Sequence, residues 1–248
     1  SQANSGLKPS EFVAGMDRVY GGYSQPLIQN LMNLVASHDS PRFGTSFQNK
    51  HKYKYMMGAR SNPSLDLGPP SKATQSEMRL MLLHQFTYIS APHIWNGDEL
   101  GMWGADDPDC RKPVIWGDIS HRPQVFMSDS KRAKPIAVKP NSELLNYYKT
   151  LIAVRKQRRE LVGGEQKVML ANDNDVALAY RRKLEGRETI IAFNLSGQVK
   201  EVRLSADSRL KTKVLVESSP GSMIGFEQNG RKIQFKLNPY SGVVLGNE

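Results

Sequence analysis

The stretch Gly97-Asp98-Glu99-Leu100-Gly101-Met102-Trp103-Gly104-Ala105-Asp106-Asp107-Pro108-Asp109-Cys110-Arg111-Lys112-Pro113 puts five carboxylates, three glycines and an arginine into seventeen residues. Glycine weakens the interior of helices and strands alike, so this stretch reads as a loop. The residues before it, Pro92-His93-Ile94-Trp95-Asn96, read as a short strand that delivers it. The same unit occurs once upstream. There Leu31-Met32-Asn33-Leu34-Val35-Ala36 reads as a short buried strand running into Ser37-His38-Asp39-Ser40-Pro41-Arg42, a polar turn with an imidazole and a carboxylate side by side. Between the two units, Met78, Met81, Leu82 and Phe86 form an apolar stripe at helical spacing, which predicts a helix over about Gln75 to Ile89. Strand, polar loop, helix, strand and polar loop is the order of a parallel barrel, whose functional side chains sit on loops at the carboxyl ends of the strands.

Outward from this centre, Phe12, Val13, Met16 and Tyr20 predict a helix from about Pro9 to Tyr20, closed by Gly21-Gly22. The polar stretches Asn62 to Ser71 and Ser128 to Asn141 read as a loop and an exposed linker. A third helix is predicted from Ser142 to Arg159, ending before Gly163-Gly164. The basic run Arg155 to Arg159 complements its dipole and reads most simply as a solvated face. From Gln166 the period changes to two. Val168–Leu170, Val176–Arg181, Thr189–Phe193, Val199–Leu204, Lys213–Glu217, Lys232–Leu237 and Gly242–Leu245 alternate between turn residues, predicting an antiparallel sheet or sandwich of about 80 residues. The expected fold class is therefore α/β plus all-β. Residues 1–162 carry the barrel-type units, and residues 163–248 form a separate β domain.

Composition narrows the function. The 248 residues hold 34 Lys and Arg against 24 Asp and Glu, a formal charge of +10, and 39% are hydrophobic, which suits a packed core. No window approaches the roughly 18 apolar residues of a membrane span. Of the basic residues 21 fall in residues 1–162, where 14 of the acids also lie, so the positive charge is scattered rather than gathered on one face as in nucleic-acid binders. Lys50, Lys52 and Lys54, interleaved with His51, Tyr53 and Tyr55, could grip phosphates and stack bases, and equally form a solvated edge. Cys110 is the single cysteine, which excludes an internal disulfide framework. A chain opening on Ser1 without an initiator Met is expected to be a processed or excised piece.

In the two loops, an acid four residues before an arginine, Asp107 and Arg111, can clamp adjacent sugar hydroxyls, since one accepts and the other donates in a planar fork. His38-Asp39 can equally cap a helix, and Asp98, Glu99 and Asp106 can be structural or solvated. Cys110 reads as packing. His84 and His93 read as core or edge histidines, Trp95 as core, and Trp103 as the better candidate for stacking on a sugar.

Taken together, the two loops resemble those of glycoside hydrolase family 13, the α-amylase family. S-H-D resembles the fourth conserved region, and G-D-E-L-G-M-W-G-A-D-D-P-D-C-R-K-P-V-I-W resembles the eighth-strand loop of the neopullulanase, cyclomaltodextrinase and maltogenic-amylase branch. The resemblance extends through L-I-A-V-R-K at residues 151–156 into the β domain. It implies the carboxyl-terminal part of a (β/α)8 barrel, about its last two strands and their helices, followed by the antiparallel β-sandwich called domain C. It implies that Asp39 is the third essential carboxylate, which orients the 2- and 3-hydroxyls and stabilises the transition state. It makes His38 a contact in the cleaved subsite and Asp107 and Arg111 contacts to the non-reducing glucosyl unit, with Trp103 and Arg42 expected among the substrate-binding residues. No metal site or cofactor is expected here, and calcium, where the family uses it, would belong to the part outside this chain.

Retaining hydrolysis requires a nucleophilic carboxylate and a general acid about 5 Å apart. The resemblance places both on strands four and five, and neither motif is in this sequence. The length agrees, because a barrel takes about 250 residues and only about 160 precede the β domain. The expectation is thus an α-glucan hydrolase acting on maltodextrin, cyclodextrin or pullulan when full length, with this chain inactive alone. The alternatives are an oligo-α-glucosidase or α-glucan transferase and, in another class, a non-catalytic carbohydrate-binding module. The expected partner is an α-glucan oligosaccharide, with no nucleic acid, no membrane span and self-association of the truncated barrel. Periplasm and cytoplasm are both left open.

Overall fold

The structure is a computed structural model whose described residues are 6–52, 54–125, 127–128, 131–132, 135–207 and 211–247, with the side chains of residues 54, 127–128 and 131–132 outside the description. Tyr53 of the basic, aromatic stretch and Ser1–Ser5 therefore lie outside the described residues. Helix α1 (Pro9–Tyr20) and the short α2 (Gln25–Asn30) lead into β1 (Met32–Leu34), and α3 (Phe43–Gln48) and α4 (Lys72–Thr87) lead into β2 (Ala91–His93). β1 and β2 pair in parallel, with Met32 opposite Ala91 and Leu34 opposite His93. This helix-connected parallel pair is the expected end of a barrel. Gln85 on α4 pins it, since its Nε2 donates at 2.8 Å to the carbonyls of both Asn33 and His93.

β1 is not the buried strand that its apolar run predicts: Met32 is 68% and Leu34 49% exposed. The reason is that β2 is its only strand neighbour among the described residues, so one edge and one face of β1 lie open. α4 begins three residues before its predicted start because Ser71 caps it, the hydroxyl accepting from the Thr74 amide at 3.1 Å. The stretch read as a linker contains a small antiparallel ladder, β3 (Met127–Ser128) with β4 (Lys131–Arg132).

The third helix divides into α5 (Ser142–Gln157) and α6 (Arg159–Gly163), broken at Arg158 with φ −107° and ψ 87°. Of the basic run at this break Lys156 and Arg159 are solvated, as the sequence suggests, whereas Arg155 and Arg158 are drawn inward. Arg158 is 5% exposed and donates to the carbonyls of Asn247 and Glu188, while its Nε lies 2.6 Å from Glu160 Oε1. Arg155 donates to the carbonyls of Phe86 and Ser90 at the end of α4. Guanidiniums bring several donors in fixed directions, so these carbonyls hold them in the interior.

The β region forms two antiparallel sheets. β5 (Glu165–Asn172), β6 (Ala177–Leu184), β7 (Arg187–Asn194), β12 (Ser241–Asn247) and β9 (Thr212–Glu217) make one in that order. β10 (Met223–Asn229), β11 (Lys232–Leu237) and β8 (Lys200–Ser205) make the other. Ile233, Phe235 and Leu237 of β11 point into the core with Val202, Ile190, Val243 and Leu245, while the residues between them face solvent. β10 escapes the sequence pattern because its period slips between Ile224 and Glu227, around Gly225 at φ +63°.

The outer face of the larger sheet packs on α4. Leu178, Tyr180, Ile191, Phe193 and Val244 join Leu80, Leu82, Leu83 and Phe86 in one cluster, where each fully buried side chain is worth roughly 1.5–3 kcal/mol of transfer free energy. Gly242 permits the approach, since a Cβ there would lie 2.9–3.0 Å from Leu83, Leu80 and Phe193. Arg182, fully buried, then ties β6 to the carbonyls of Thr87, Leu161 and Gly164 at 3.0 Å each. The β domain thereby fixes the end of α4, four residues before β2 delivers the acidic loop.

Candidate functional site

The two loops predicted from sequence meet at the ends of β1 and β2. Arg111 Nη2 donates to Asp39 Oδ1 at 2.9 Å, Arg111 Nε lies 2.6 Å from Asp107 Oδ1, and His38 Nε2 lies 3.1 Å from Asp39 Oδ2. Arg111 Nε also donates to the His38 carbonyl at 3.1 Å, and the Cys110 thiol donates to the same oxygen at 3.0 Å. Cys110 is fully buried, where burial pushes its thiol up, in keeping with a packing role.

These four polar side chains are each about half exposed, between 44% and 58%. Ion pairs so accessible are worth roughly 0–1 kcal/mol, too little for stability to be their main effect. What the arrangement offers is an array of acceptors and donors open to a ligand. Asp39 and Asp107 accept from hydroxyls, Arg111 donates, and His38 donates or accepts beside them.

Below this array the support is buried. Arg42 is fully buried, its Nη1 donating to the Asn96 carbonyl at 2.6 Å and to Asp98 Oδ1 at 3.2 Å, with Cζ 5.3 Å from the centre of the Trp95 ring. Burial pushes the Asp98 carboxyl up to about 7, against the opposing pull of Arg42. Gly97 sits above this pair at φ +95°, and a Cβ there would fall 2.2 Å from Met102 Sδ, so glycine is required at the turn. Glu99 closes the same turn by accepting from the Gly97 amide at 2.8 Å.

Two expected contacts lie elsewhere. Arg42 does not reach the open array because it is fully buried, with Nη1 on Asp98 and Asn96. Trp103 is 3% exposed with the Lys112 amine 5.5 Å over its ring, so its face is covered rather than offered to a sugar. Asp98 and Glu99 are structural. Asp106 is braced through its amide, which donates to the Met57 carbonyl at 2.9 Å. Sequence reasoning missed Thr45, whose hydroxyl accepts from the Gly104 amide at 2.9 Å and holds the loop to α3. A lone threonine in a short helix gives no signal of that.

Among the described residues no group of three His, Cys, Asp or Glu side chains is arranged to hold a metal ion. Among them, too, no helix is long and apolar enough to cross a membrane.

Residues 168–244 match the family model for the maltogenic amylase C-terminal domain. The chain is 28% identical to Neopullulanase 2 of Thermoactinomyces vulgaris over 248 residues, which covers 99% of this chain and 34% of that protein. It is 29% identical to a cyclomaltodextrinase of Geobacillus thermopakistaniensis, again over 99% of this chain and 34% of the relative. The debranching enzyme of Nostoc punctiforme in its native form superposes with a TM-score of 0.65 at 23% identity, covering 97% of this chain and 40% of that one. An α-amylase from H. orenii superposes at 0.64 and 18% identity, over 99% and 46%.

The chain is thus similar to enzymes of the α-amylase class, glycoside hydrolase family 13, over the end of the barrel and the β-sandwich that follows it. Within that class its likeness is to the neopullulanase, cyclomaltodextrinase and maltogenic-amylase branch. It spans about a third of the length of the curated relatives it matches.

Proposed function

We propose that this chain supplies the sugar-orienting half of a retaining α-glucan hydrolase site, with the nucleophile and general acid on a part of the barrel outside it. Residues 1–162 are the barrel portion in this proposal and residues 163–248 are domain C. Asp39 acts on the sugar that becomes cationic, His38 binds the same unit, and Asp107 with Arg111 holds the next glucosyl unit. The observation that carries the proposal is the Arg111 fork, which joins a carboxylate of the first loop to one of the second while both stay accessible.

The transition state of glycoside hydrolysis develops positive charge at the anomeric carbon. A carboxylate held in place before that charge forms stabilises it without reorganising. Asp39 is so held, one oxygen against Arg111 and the other against His38. The chain's own residues thus orient and stabilise, and bond cleavage requires the two carboxylates that it lacks. Substrates would be maltodextrin, cyclodextrin or pullulan.

The test joins residues 1–248 behind the first six barrel strands of a cyclomaltodextrinase relative. The joined enzyme is expected to release reducing ends from maltodextrin, and the 248-residue chain alone to release none. Tight maltooligosaccharide binding by the isolated chain, with no activity in a folded joined enzyme, would favour a carbohydrate-binding module instead.

The open edge of β1 carries a second element of the proposal: residues 1–162 self-associate when the remaining barrel strands are absent. Met32, Leu34 and Leu27 are exposed along this flank, and an unpaired strand edge is a template for another chain.

A further inference from the structure

A separate cavity adjoins the acidic loop, entered one residue beyond Arg111. It has a volume of about 230 Å³, and its walls include Lys112, Trp103, His121, Arg122, Ile115 and Val138. Ile115 is buried and Val138 packs against the same small cluster, which makes part of the wall apolar. The polar part is made mainly of donors, and none of the described residues lining it is acidic.

Two features of that wall call for an acceptor. Trp103 is 3% exposed, and among the described residues its indole Nε1 has no hydrogen-bond partner. An unpaired buried donor costs about 1–3 kcal/mol, a penalty that a ligand acceptor removes. The Lys112 amine donates to the Trp103 carbonyl and stands 5.5 Å over the centre of the indole ring, on the same wall. Burial lowers this amine to about 8, with Arg42 adding to the effect and Asp109 and Cys110 opposing it. A cation kept in such surroundings gains from a negative charge brought next to it.

Size selects the rest of the ligand. An apolar cavity of about 150 Å³ is known to take up benzene, so this one has room for one six-membered ring and a charged head. A neutral glucosyl unit would need acceptors as well as donors around it, and this wall offers mainly donors. We infer that the cavity binds a small organic anion, a carboxylate or phosphate monoester on a body of one ring, with Trp103 Nε1 and Lys112 Nζ directed to the anionic head and Arg122 at the rim. This site is distinct from the Asp39 array and does not depend on the function proposed for that array.

The test titrates the 248-residue chain calorimetrically at about pH 7 with benzoate, glucose 6-phosphate and inorganic phosphate. Either ring-bearing anion is expected to bind at one site, and inorganic phosphate about tenfold more weakly, since it leaves the apolar wall unfilled. Tighter benzoate identifies an apolar body, and tighter glucose 6-phosphate a phosphorylated sugar. Lys112→Met and Trp103→Phe should each weaken binding about fivefold or more, and Arg122→Gln about twofold. Binding should also fall at about pH 9.5, where Lys112, facing Arg42, Asp109, Cys110, His121 and Arg122, loses its proton. No binding of either ring-bearing anion overturns the inference, as does affinity unchanged by Lys112→Met and Trp103→Phe. Should Trp103→Phe fail to fold, unchanged affinity in both Lys112→Met and Arg122→Gln overturns it.

Discussion

Arg111 and Asp39 lie 72 residues apart in sequence, and the guanidinium Nη2 meets the carboxylate Oδ1 at 2.9 Å. The same guanidinium reaches Asp107 through Nε at 2.6 Å. One planar fork therefore sets the spacing of two carboxylates from different loops, and an ammonium cannot do so.

In an enzyme with the complete barrel, Arg111→Lys should weaken substrate use by about 1–3 kcal/mol in kcat/KM. Asp107→Ala should lose less when Arg111 is already replaced, because the two act as one clamp. A double-mutant cycle measures the coupling. Strict additivity would mean that they act separately.

Arg182 supports the site from a distance. Its Nη1 and Nη2 hold three carbonyls, of Thr87, Leu161 and Gly164, in a fully buried setting. Arg182→Met would leave those acceptors unpaired and should cost about 3–5 kcal/mol of stability. Chemical denaturation of the chain reads this directly. A loss under about 1 kcal/mol would show that water replaces the guanidinium without penalty.

Acid should loosen the contact between α4 and the β domain. His84 is buried against Phe12, Tyr88, Tyr180 and Phe193, and burial lowers its ring to about 4. Unfolded, the same ring takes up a proton near its ordinary value of about 6.5. Between these values the unfolded chain binds more protons, so stability is lost as pH falls from about 6.5 to about 4, by about 3 kcal/mol over the window. Asp98 acts in the opposite sense, since its folded value is raised to about 7 and its contribution is lost as pH rises. The His84 part is isolated by subtracting the pH dependence of His84→Gln. Parallel curves for the two proteins would remove His84 from the account.

Much of this was legible beforehand, for identifiable reasons. The α1 stripe and the alternation of β11 depend on local spacing, and both elements occur where that spacing puts them. The two polar loops were legible because their composition is incompatible with regular structure. Other features were set by contacts distant in sequence. Arg158 breaks α5 from α6 because Asn247 and Glu188, far along the chain, hold its guanidinium. Arg42 and Trp103 carry residue types suited to sugars, and nothing local reveals that Asp98 and Lys112 cover them. The exposure of Met32 and Leu34 reflects which strands surround β1, a property outside its own sequence.

The full 248-residue chain should behave as an associated species. Among the described residues β1 pairs only with β2, and its Met32 and Leu34 are exposed. Light scattering of the chain checks this. A monodisperse monomer of the full chain with β1 and β2 still paired would show that the barrel portion is self-sufficient.

The most direct measurement is the turnover of Asp39→Asn in the joined enzyme that carries the complete barrel. The substitution keeps size and one acceptor oxygen but removes the charge, which matters most when the sugar becomes cationic. The account predicts that kcat and kcat/KM fall together by about 100- to 1,000-fold with KM little changed. Near-normal turnover in a folded Asp39→Asn enzyme would contradict it.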